Sequence, residues 1–446
     1  MKQIVHRRTW LPLAALVAIS IALTACSGSA APTPSTTTPA TATEAPSSAS
    51  TPAIEDLTGD GPATLWVRAA DVPLDQKLVD GWNQANPTRT IELVAIPDGE
   101  YVQKFIQASR SGDVPDIAVI DIANATTLTS QGLLRPITGR VASLPYADKL
   151  APAAMSVCQS NGETFCIPNQ LDIAVMYYNK DLFAKAGLDP NKPPTTNAEI
   201  RADAAAITKL GGDTYGFYFA GNCAGCNAYT TLPMIWASGG DILSSDNSKS
   251  TPNDPAVVAT LDLLKGMWDD GSIPKAAQDE TGATWLNSFM SGQIGIINLG
   301  SFGIDIFKGL DGFNFGMAPI PGVNGGQGAF LGGDIVGIPA AAKQAKTAWD
   351  FLEWTTTPDV QQQIVAPTHL VIRSDLVDNP TTSANVLLHQ ANQLITIAKV
   401  PTTTQYNALF IDPASPFLQM IRDYVFQNKP DALTSAQKNF DQRING

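Results

Sequence analysis

Apolar and polar positions along residues 63–120 follow two alternating periods. Runs of branched and apolar residues predict strands, and the intervening runs, with apolar residues every three or four positions, predict amphipathic helices. The predicted strands cover residues 63–69, 90–96 and 117–120, and the predicted helices cover 74–83 and 101–109. A βαβαβ order of this kind implies a parallel sheet covered by helices on both faces. Any ligand is then expected beyond the carboxyl ends of the strands, in the loops 70–73, 97–101 and 121–125.

The same alternation continues through residues 174–355 and predicts a second α/β unit. Strands are expected at 174–178, 216–220, 295–298 and 335–338, with helices at 181–186, 197–210, 233–237, 255–268, 285–291 and 343–355. The last third of the chain has a helical pattern interrupted by Pro367, Pro380, Pro401 and Pro413. No period of about 20 to 50 residues repeats, which argues against a solenoid or a propeller.

The N-terminal residues have a different pattern. Three basic residues precede an apolar run at 10–23, and small residues then precede Cys26. This order is typical of a lipoprotein signal peptide over residues 1–25, with Cys26 as the lipidated first residue of the mature chain. The alternative is an ordinary secretory signal that is cut elsewhere and leaves Cys26 a plain thiol. The apolar run itself is short for a membrane span.

Residues 26–60 consist mostly of Ala, Pro, Thr and Ser, with Ile54 and Leu57 as the only large aliphatic side chains. A segment of this composition buries too little apolar surface to offset the entropy lost when a chain becomes ordered. We therefore expect a mobile, partly extended linker between the lipid anchor and the globular residues that follow.

Composition narrows the class of the globular part. The chain is 44% hydrophobic and 15% charged, so residues 61–446 can bury the cores of two domains. The formal charge is −13, and removal of the signal peptide leaves 25 basic against 41 acidic residues, a charge of −16. An acidic surface disfavours nucleic acid and anionic lipid as partners, because both bind basic surfaces. Membrane contact is therefore expected through the lipid anchor only.

Five cysteines are present, and lipidation of Cys26 leaves four. An even number in an exported chain predicts two disulfides, and the short spacings pair Cys158 with Cys166 and Cys223 with Cys226. A zinc site built from all four is the alternative. A redox role for Cys223 and Cys226 is disfavoured, because redox motifs of this spacing open a helix, whereas this one is expected in a Gly/Asn-rich loop.

Motifs for catalysis are missing from the sequence. It contains no Gly-x-Ser-x-Gly elbow, phosphate-binding loop, dinucleotide glycine fingerprint or His-Glu-x-x-His helix. His369 and His389 are isolated and favour packing or surface roles. Carboxylate pairs that hydrolyse glycosides remain open, because their signature is a distance in space. We expect a protein without enzymatic activity, cofactor or bound metal ion.

Polar and aromatic residues gather beside predicted strand ends, as recognition of a hydroxyl-rich ligand would require. Amides and carboxylates exchange hydrogen bonds with hydroxyls, and an aromatic face packs on the C–H face of a sugar ring. The candidate ligand-binding residues are Asp121, Asn169, Asp172, Asn227, Trp236, Asp241, Asn298, Phe302 and Asp334. For each of them a structural role is an equally good interpretation.

Several blocks of the chain resemble one protein family. Residues 175–188, Val-Met-Tyr-Tyr-Asn-Lys-Asp-Leu-Phe-Ala-Lys-Ala-Gly-Leu, resemble the bacterial solute-binding proteins of ABC importers, in particular the sugar-binding family that includes the maltodextrin-binding proteins. Further similar blocks follow in the same order, at 115–134, 236–241, 289–302, 315–319, 330–339 and 348–352. The resemblance covers essentially residues 61–446.

The resemblance implies an α/β fold with two lobes and a ligand cleft between them. Hinge crossings are expected near 172–175, 332–336 and 377–385; lobe 1 would comprise 61–172 with 333–377, and lobe 2 would comprise 173–332 with 385–446. Asp172 matches a ligand-binding carboxylate of the maltodextrin-type proteins. Phe302 stands where many members have a sugar-stacking tryptophan, and Asp334 where many have an aromatic residue. These departures favour a ligand smaller or more polar than a long α-glucan.

By the same resemblance, the chain is expected to act as a monomeric capture protein outside the cytoplasm. Closure of its lobes on a mono- or oligosaccharide would present the loaded protein to the permease subunits of an ABC importer. The alternatives are a surface glycosidase and a sensing or adhesion lipoprotein on the same scaffold.

Overall fold

The computed structural model describes residues 52–445, and Cys26, the signal peptide and most of the predicted linker lie outside them. The strands, β1 to β12, are Ala63–Arg68, Ile91–Ile96, Ile117–Asp121, Gln159–Ser160, Glu163–Thr164, Cys166–Asn179, Tyr215–Tyr218, Ile294–Gly300, Phe315–Ala318, Ile320–Pro321, Gln327–Gly328 and Leu331–Gly337. The helices, α1 to α17, are Val72–Ala85, Tyr101–Ser111, Ile122–Ser130, Thr138–Ala142, Pro152–Val157, Lys180–Lys185, Asn197–Thr208, Ala224–Ala237, Pro255–Asp269, Trp285–Met290, Gly303–Lys308, Ala345–Thr355, Pro358–Val360, Pro380–Ala384, Val386–Gln393, Pro416–Ile421 and Ala432–Asn445.

The first three strands form the parallel βαβαβ unit that the sequence predicts. β1 lies between β2 and β3 and runs parallel to both, with Ala63 opposite Ile91 and Leu65 opposite Ile117. The first four side chains of β3 are fully buried, as expected for a parallel strand that is covered on both faces. β12 returns antiparallel beside β3 and pairs with it. The carboxyl ends of β1 and β3 therefore lie side by side at one edge of this sheet.

The 14-residue strand β6 belongs to two sheets. It pairs with β12 up to Ile173, and from Ala174 onward it pairs with β8 and β9, so the chain passes between the sheets within one strand. β7 extends the second sheet parallel to β8. The predicted strand at 174–178 is thus only the second half of β6. Its first half contains Pro168 and several polar residues, which hide a strand from a pattern of apolar positions.

Gly333 lies where β12 changes register against β6. Its φ is +91°, and a Cβ at this position would lie 2.1 Å from the carbonyl oxygen of Gln170. The pairing shifts between Gly333 and Ile335. Only glycine combines this backbone conformation with so close an approach of the two strands.

Helix α8 starts nine residues earlier than the prediction of a helix at 233–237. It runs from Ala224 to Ala237 and includes Pro233 in its interior. Cys223 is its N-cap and accepts a hydrogen bond from the backbone N–H of Cys226 at 3.2 Å. The expectation that these two cysteines lie in a Gly/Asn-rich loop was therefore wrong. A sulfur in place of the usual Ser, Thr, Asp or Asn cap conceals the helix start in the sequence.

The chain is already docked on the protein body from Ala53 onward, so a mobile linker reaching residue 60 was also a wrong expectation. Leu57 is buried in the core. The Glu55 carboxylate accepts hydrogen bonds from the backbone N–H groups of Gly139 (2.8 Å) and Arg140 (3.0 Å), at the start of α4. The Arg140 guanidinium donates in return to the carbonyl oxygen of Glu55. One well-placed leucine and one carboxylate thus order a segment of otherwise linker-like composition.

Both predicted disulfides form, one between Cys158 and Cys166 and the other between Cys223 and Cys226. Within residues 52–445, none of the helices is long and apolar enough to cross a membrane. In the same part of the chain, no group of three or more His, Cys, Asp or Glu side chains is arranged to hold a metal ion.

Candidate functional site

A cluster of charged side chains occupies the carboxyl edge of the first sheet. Arg68, at the end of β1, donates to Asp121 at the end of β3 (2.8 Å) and to Asp334 in β12 (2.7 Å). Its Nε lies 2.9 Å from a carboxylate oxygen of Asp71. Asp334 is completely buried, and burial raises the pKa of its carboxyl well above the usual value despite the neighbouring guanidinium. Asp121 also caps α3 by accepting from the N–H of Ala123. Arg68 therefore holds three carboxylates together.

A buried carboxyl lies beneath this cluster. Asp75 in α1 is 1% exposed and accepts a hydrogen bond from the Asn169 side chain at 2.9 Å. Burial raises the pKa of Asp75 to about 7, although the Asn169 hydrogen bond acts in the opposite direction. Asn169, which the sequence nominates for ligand binding, is itself buried and supports this carboxyl.

Asp172 lies where β6 passes from the first sheet to the second. One carboxylate oxygen accepts from the hydroxyl of Ser301 (2.5 Å) and the backbone N–H of Phe302 (3.2 Å), and the other accepts from the Tyr229 hydroxyl (2.6 Å). Burial raises the pKa of Asp172, and these hydrogen bonds oppose the rise. The carboxylate thereby joins β6 to α8 and to the turn between β8 and α11.

A cavity of about 230 Å³ opens beside Asp172. Its wall is formed by the middle of β6, the turn between β8 and α11, and residues 368–370. The lining residues include Gln170, Asp172, Ser301, Phe302, Asp305 and His369. Half of the Phe302 surface is exposed, so one large aromatic side chain remains available in this wall. The Gln170 side-chain oxygen is buried and has no hydrogen-bond partner within residues 52–445. The cavity is thus lined by a carboxylate residue, a glutamine whose side-chain oxygen has no partner, and an aromatic surface.

His369 adds a neutral polar group to the same wall. One of its ring nitrogens, Nδ1, lies 2.8 Å from the Thr368 hydroxyl. Burial, with a smaller contribution from the nearby Lys77, lowers the pKa of His369 to about 4. The imidazole therefore carries no charge near neutral pH.

Trp236 and Asp241 line a different cavity, of about 270 Å³, together with Lys399 and Phe410. The indole N–H of Trp236 donates to the Asp241 carboxylate at 2.9 Å. An aromatic chain connects the two cavities. The Trp236 ring stacks on Phe330 with 5.7 Å between centroids, and Phe330 meets Tyr229, which holds Asp172, at 5.2 Å.

Two further candidate ligand-binding residues are buried and make hydrogen bonds within the protein. The Asn227 amide donates to the carbonyl oxygens of Ala220 and Cys223, both at 2.8 Å, and so ties the start of α8 to the preceding loop. Asn298 in β8 is 4% exposed and donates to the carbonyl of Thr230 at 3.4 Å. Neither belongs to the lining of the two cavities just described.

The structure adds Arg68, Ser301, Asp305 and His369 to the residues nominated from sequence. Arg68 could have been nominated from the sequence, because it lies at the end of the first predicted strand. Ligands bind beyond the carboxyl ends of the strands in a parallel sheet. The only sequence signal for Ser301 and Asp305 was that they lie close to Phe302 along the chain. His369 had none, since its position depends on how the chain packs after α13.

Known proteins resemble this chain in sequence and in fold. The family described as bacterial extracellular solute-binding protein matches residues 69–362. The sn-glycerol-3-phosphate-binding periplasmic protein UgpB of Yersinia pestis is 25% identical over 306 residues, which are 64% of this chain and 67% of the relative.

Solved structures share the architecture over most of the chain. The cyclic α-maltosyl-1,6-maltose binding protein from Arthrobacter globiformis has a TM-score of 0.76 at 24% identity, covering 87% of this chain and 100% of its own. The GacH receptor of Streptomyces glaucescens, solved unliganded and with acarbose, has a TM-score of 0.73 at 26% identity. The match covers 86% of this chain and 98% of the receptor chain. These similarities confirm the expected two-lobed α/β fold.

Proposed function

Because the chain belongs to the bacterial extracellular solute-binding protein family, we propose that it captures a carbohydrate outside the cytoplasm and delivers it to the permease of an ABC importer. The GacH receptor was solved with acarbose, an Arthrobacter relative is named for a cyclic maltosyl-maltose and UgpB for glycerol phosphate. We assign no catalytic step to this chain. Its ligand is a mono- or oligosaccharide, and its partners are the permease subunits.

The cavity beside Asp172 carries this proposal. A sugar has hydroxyl donors for the Asp172 carboxylate and for the unsatisfied Gln170 oxygen, and a C–H face for the exposed side of Phe302. At about 230 Å³ the cavity is small for a ligand pocket. This size favours a monosaccharide or a short oligosaccharide.

The charges in the cavity wall favour a neutral ligand over a phosphorylated one. Asp172 and Asp305 both line the cavity, and His369 is neutral because its pKa is about 4. At the neighbouring sheet edge, Arg68 is already engaged by three carboxylates. A phosphate group would therefore meet carboxylates, and the lining residues include no Lys or Arg; Lys77, near His369, lies outside the lining. Glycerol phosphate, the ligand in the name of the Yersinia relative, is the second candidate.

Closure of the lobes would allow the permease to distinguish the loaded protein from the empty one. With lobe 1 taken as 61–172 with 333–377 and lobe 2 as 173–332 with 385–446, the hydrogen bonds of Asp172 to Ser301, Phe302 and Tyr229 join the lobes at the hinge, and further hydrogen bonds join them elsewhere. The Asn407 amide donates to Asn124 (3.1 Å), and the Thr127 hydroxyl donates to the Thr404 carbonyl (3.3 Å). A ligand that touches both lobes adds to these contacts and shifts the population towards the closed form.

Retention at the membrane would rest on lipid attached to Cys26, with the chain as a monomer held outside the cytoplasm. Cys26 is the residue that follows a signal peptide of lipoprotein type. Replacement of Cys26 by Ser should release the protein from the membrane fraction of the native host. A Cys26→Ser protein that stays in the membrane fraction would contradict lipid anchoring.

A panel of sugars, polyols and sugar phosphates in a thermal-shift assay should identify the ligand, and calorimetry should then test the cavity. Asp172→Asn should weaken binding about tenfold or more, because a hydrogen bond to a charged group contributes about 1.5 to 3 kcal/mol. Phe302→Ala should weaken it about fivefold, since a lost aromatic contact costs about 1 kcal/mol. Leu210→Ala removes another exposed apolar side chain, 40% exposed, that is not among the residues lining the cavity, and should leave affinity unchanged.

Unchanged affinity in folded Asp172→Asn and Phe302→Ala proteins would remove this cavity as the binding site. A shift with glycerol phosphate and none with neutral sugars would favour the second candidate. Turnover of glycosides by the purified protein would instead support a surface glycosidase.

A further inference from the structure

The two disulfides have contrasting surroundings. Cys158 and Cys166 are both fully buried, and Cys158 follows the last residue of α5. Cys223 and Cys226 are both partly exposed and lie at the start of the 14-residue helix α8. Access and local electric field therefore differ between the two bonds.

The start of α8 would favour a thiolate at Cys223 once the disulfide is opened. The Cys223 sulfur already accepts the backbone N–H of Cys226 at 3.2 Å, and the N-terminus of a helix carries partial positive charge. Cysteines in this position have lowered thiolate pKa values in other proteins, and a stabilised thiolate is a good leaving group in disulfide exchange. Cys158, at a helix C-terminus, faces the opposite field.

A glycine of the following loop lies against this disulfide, and both cysteine residues remain partly exposed. Gly282 packs directly on it, and a Cβ there would lie 2.9 Å from the Cys226 sulfur and 3.2 Å from the Cys223 sulfur. The carboxylate on this loop, that of Glu280, is engaged by the N–H groups of Gly282 (2.7 Å) and Thr284 (3.1 Å) and by the Tyr218 hydroxyl (3.2 Å). These hydrogen bonds hold the carboxylate within its own loop.

We infer that Cys223–Cys226 is a redox-active disulfide that exchanges with external dithiols, and that its reduction loosens the helix presenting Tyr229 to Asp172. One thiolate of the dithiol bonds to the Cys226 sulfur, and the electron pair of the broken S–S bond goes to Cys223. The second thiol of the dithiol then displaces Cys226, which takes up a proton. The dithiol leaves as a disulfide, and two electrons have been transferred to the protein.

The first turn of α8 connects the disulfide to the cavity. The carbonyl of Cys226 accepts from the Thr230 hydroxyl at 2.7 Å, and the Asn227 amide binds the carbonyl of Cys223. Tyr229, in the next turn, donates to Asp172. Reduction frees the Cys223 side chain from its fixed position as the cap, so the geometry of this first turn is no longer constrained covalently.

The test uses dithiothreitol and the folded, oxidised protein without denaturant, and it needs no solute. After an acid quench, alkylation and peptide mass spectrometry should find Cys223 and Cys226 reduced about tenfold or more faster than Cys158 and Cys166. Hydrogen–deuterium exchange of residues 224–230 should become about fivefold or more faster in the selectively reduced protein. A Cys223→Ser, Cys226→Ser double variant should show the same faster exchange without reductant.

The buried pair serves as the internal control. Equal reduction of both disulfides, or resistance of Cys223–Cys226 until the protein unfolds, would overturn the inference. So would unchanged exchange of residues 224–230 after selective reduction. Because neither measurement involves a ligand, these outcomes are independent of whether the protein binds a carbohydrate.

Discussion

Asp75 is a single side chain whose protonation affects the stability of the fold. Its pKa is raised by burial to about 7 in the folded protein, against about 3.9 when unfolded. The folded state therefore keeps a proton that the unfolded state loses, and stability falls as pH rises from about 4 through about 7. Asp75→Asn keeps the acceptor oxygen for Asn169 and removes this titration.

Urea unfolding of the two proteins at pH 5 to 8 should show the difference. The advantage of Asp75→Asn should grow with pH, by up to about 1.4 kcal/mol per pH unit below pH 7. Asp311→Asn, at an exposed position, should leave the wild-type slope unchanged. Parallel curves for wild type and Asp75→Asn would show that Asp75 is ionised in the folded protein throughout this range.

Arg68 holds its three carboxylates in a largely desolvated cluster, so its removal should be costly. We expect Arg68→Met to lower the free energy of unfolding by about 3 to 5 kcal/mol at pH 7, because buried charges then lose their partner. Lys265→Met breaks the 2.5 Å surface pair with Asp269 and should change stability by less than about 1 kcal/mol. Similar effects of the two substitutions in urea unfolding would mean that the Arg68 cluster is already well solvated.

At the scale of elements, the segment before β1 packs against the body of the protein. Leu57 is 5% exposed, whereas Ile54, three residues earlier, is 62% exposed. Leu57→Ala should lower the free energy of unfolding by about 2 to 4 kcal/mol and open residues 53–60 to limited proteolysis. Ile54→Ala should do neither. Equal protease resistance of both variants would indicate that Glu55 and its contacts suffice to hold the segment.

At the scale of the whole molecule, the contact between Asn124 and Asn407 should contribute to closure. Asn124→Ala should weaken the cognate solute about fivefold, since a neutral hydrogen bond contributes about 1 kcal/mol. It should also reduce the solute-induced compaction measured by small-angle X-ray scattering. Asn247→Ala removes a hydrogen bond to Thr402 within the proposed second lobe and serves as the matched control. Equal effects of the two variants would show that the contact between Asn124 and Asn407 makes no specific contribution to closure.

Sequence patterns predicted the helices and strands that are determined by the apolar and polar positions of their own residues. The three strands and two helices of the βαβαβ unit follow from the periods of their own apolar positions, and their observed bounds differ from the predicted ones by a few residues. The disulfides followed from sequence separations of 8 and 3 residues. The start of α8 did not, because its cap is a cysteine and its first turn is stabilised by the preceding loop.

The candidate site could be predicted only in part. Asp172 and Phe302 were nominated and line one cavity. Trp236 and Asp241 line another, and Asn169, Asn227 and Asp334 make buried contacts within the protein. Their residue types suit a ligand and a buried polar contact equally, and only the surroundings distinguish these roles.

The sequence by itself therefore determined the fold class, the family and the disulfide pairing, because periodicity, short spacings and contiguous motifs are properties of neighbouring residues. Tertiary structure alone decided which polar groups face a cavity. Asp172 meets Ser301 from 129 residues away and Asn169 meets Asp75 from 94 residues away. Such contacts depend on how β6 and β12 bring distant segments together, and on whether water remains beside each polar atom once they have packed.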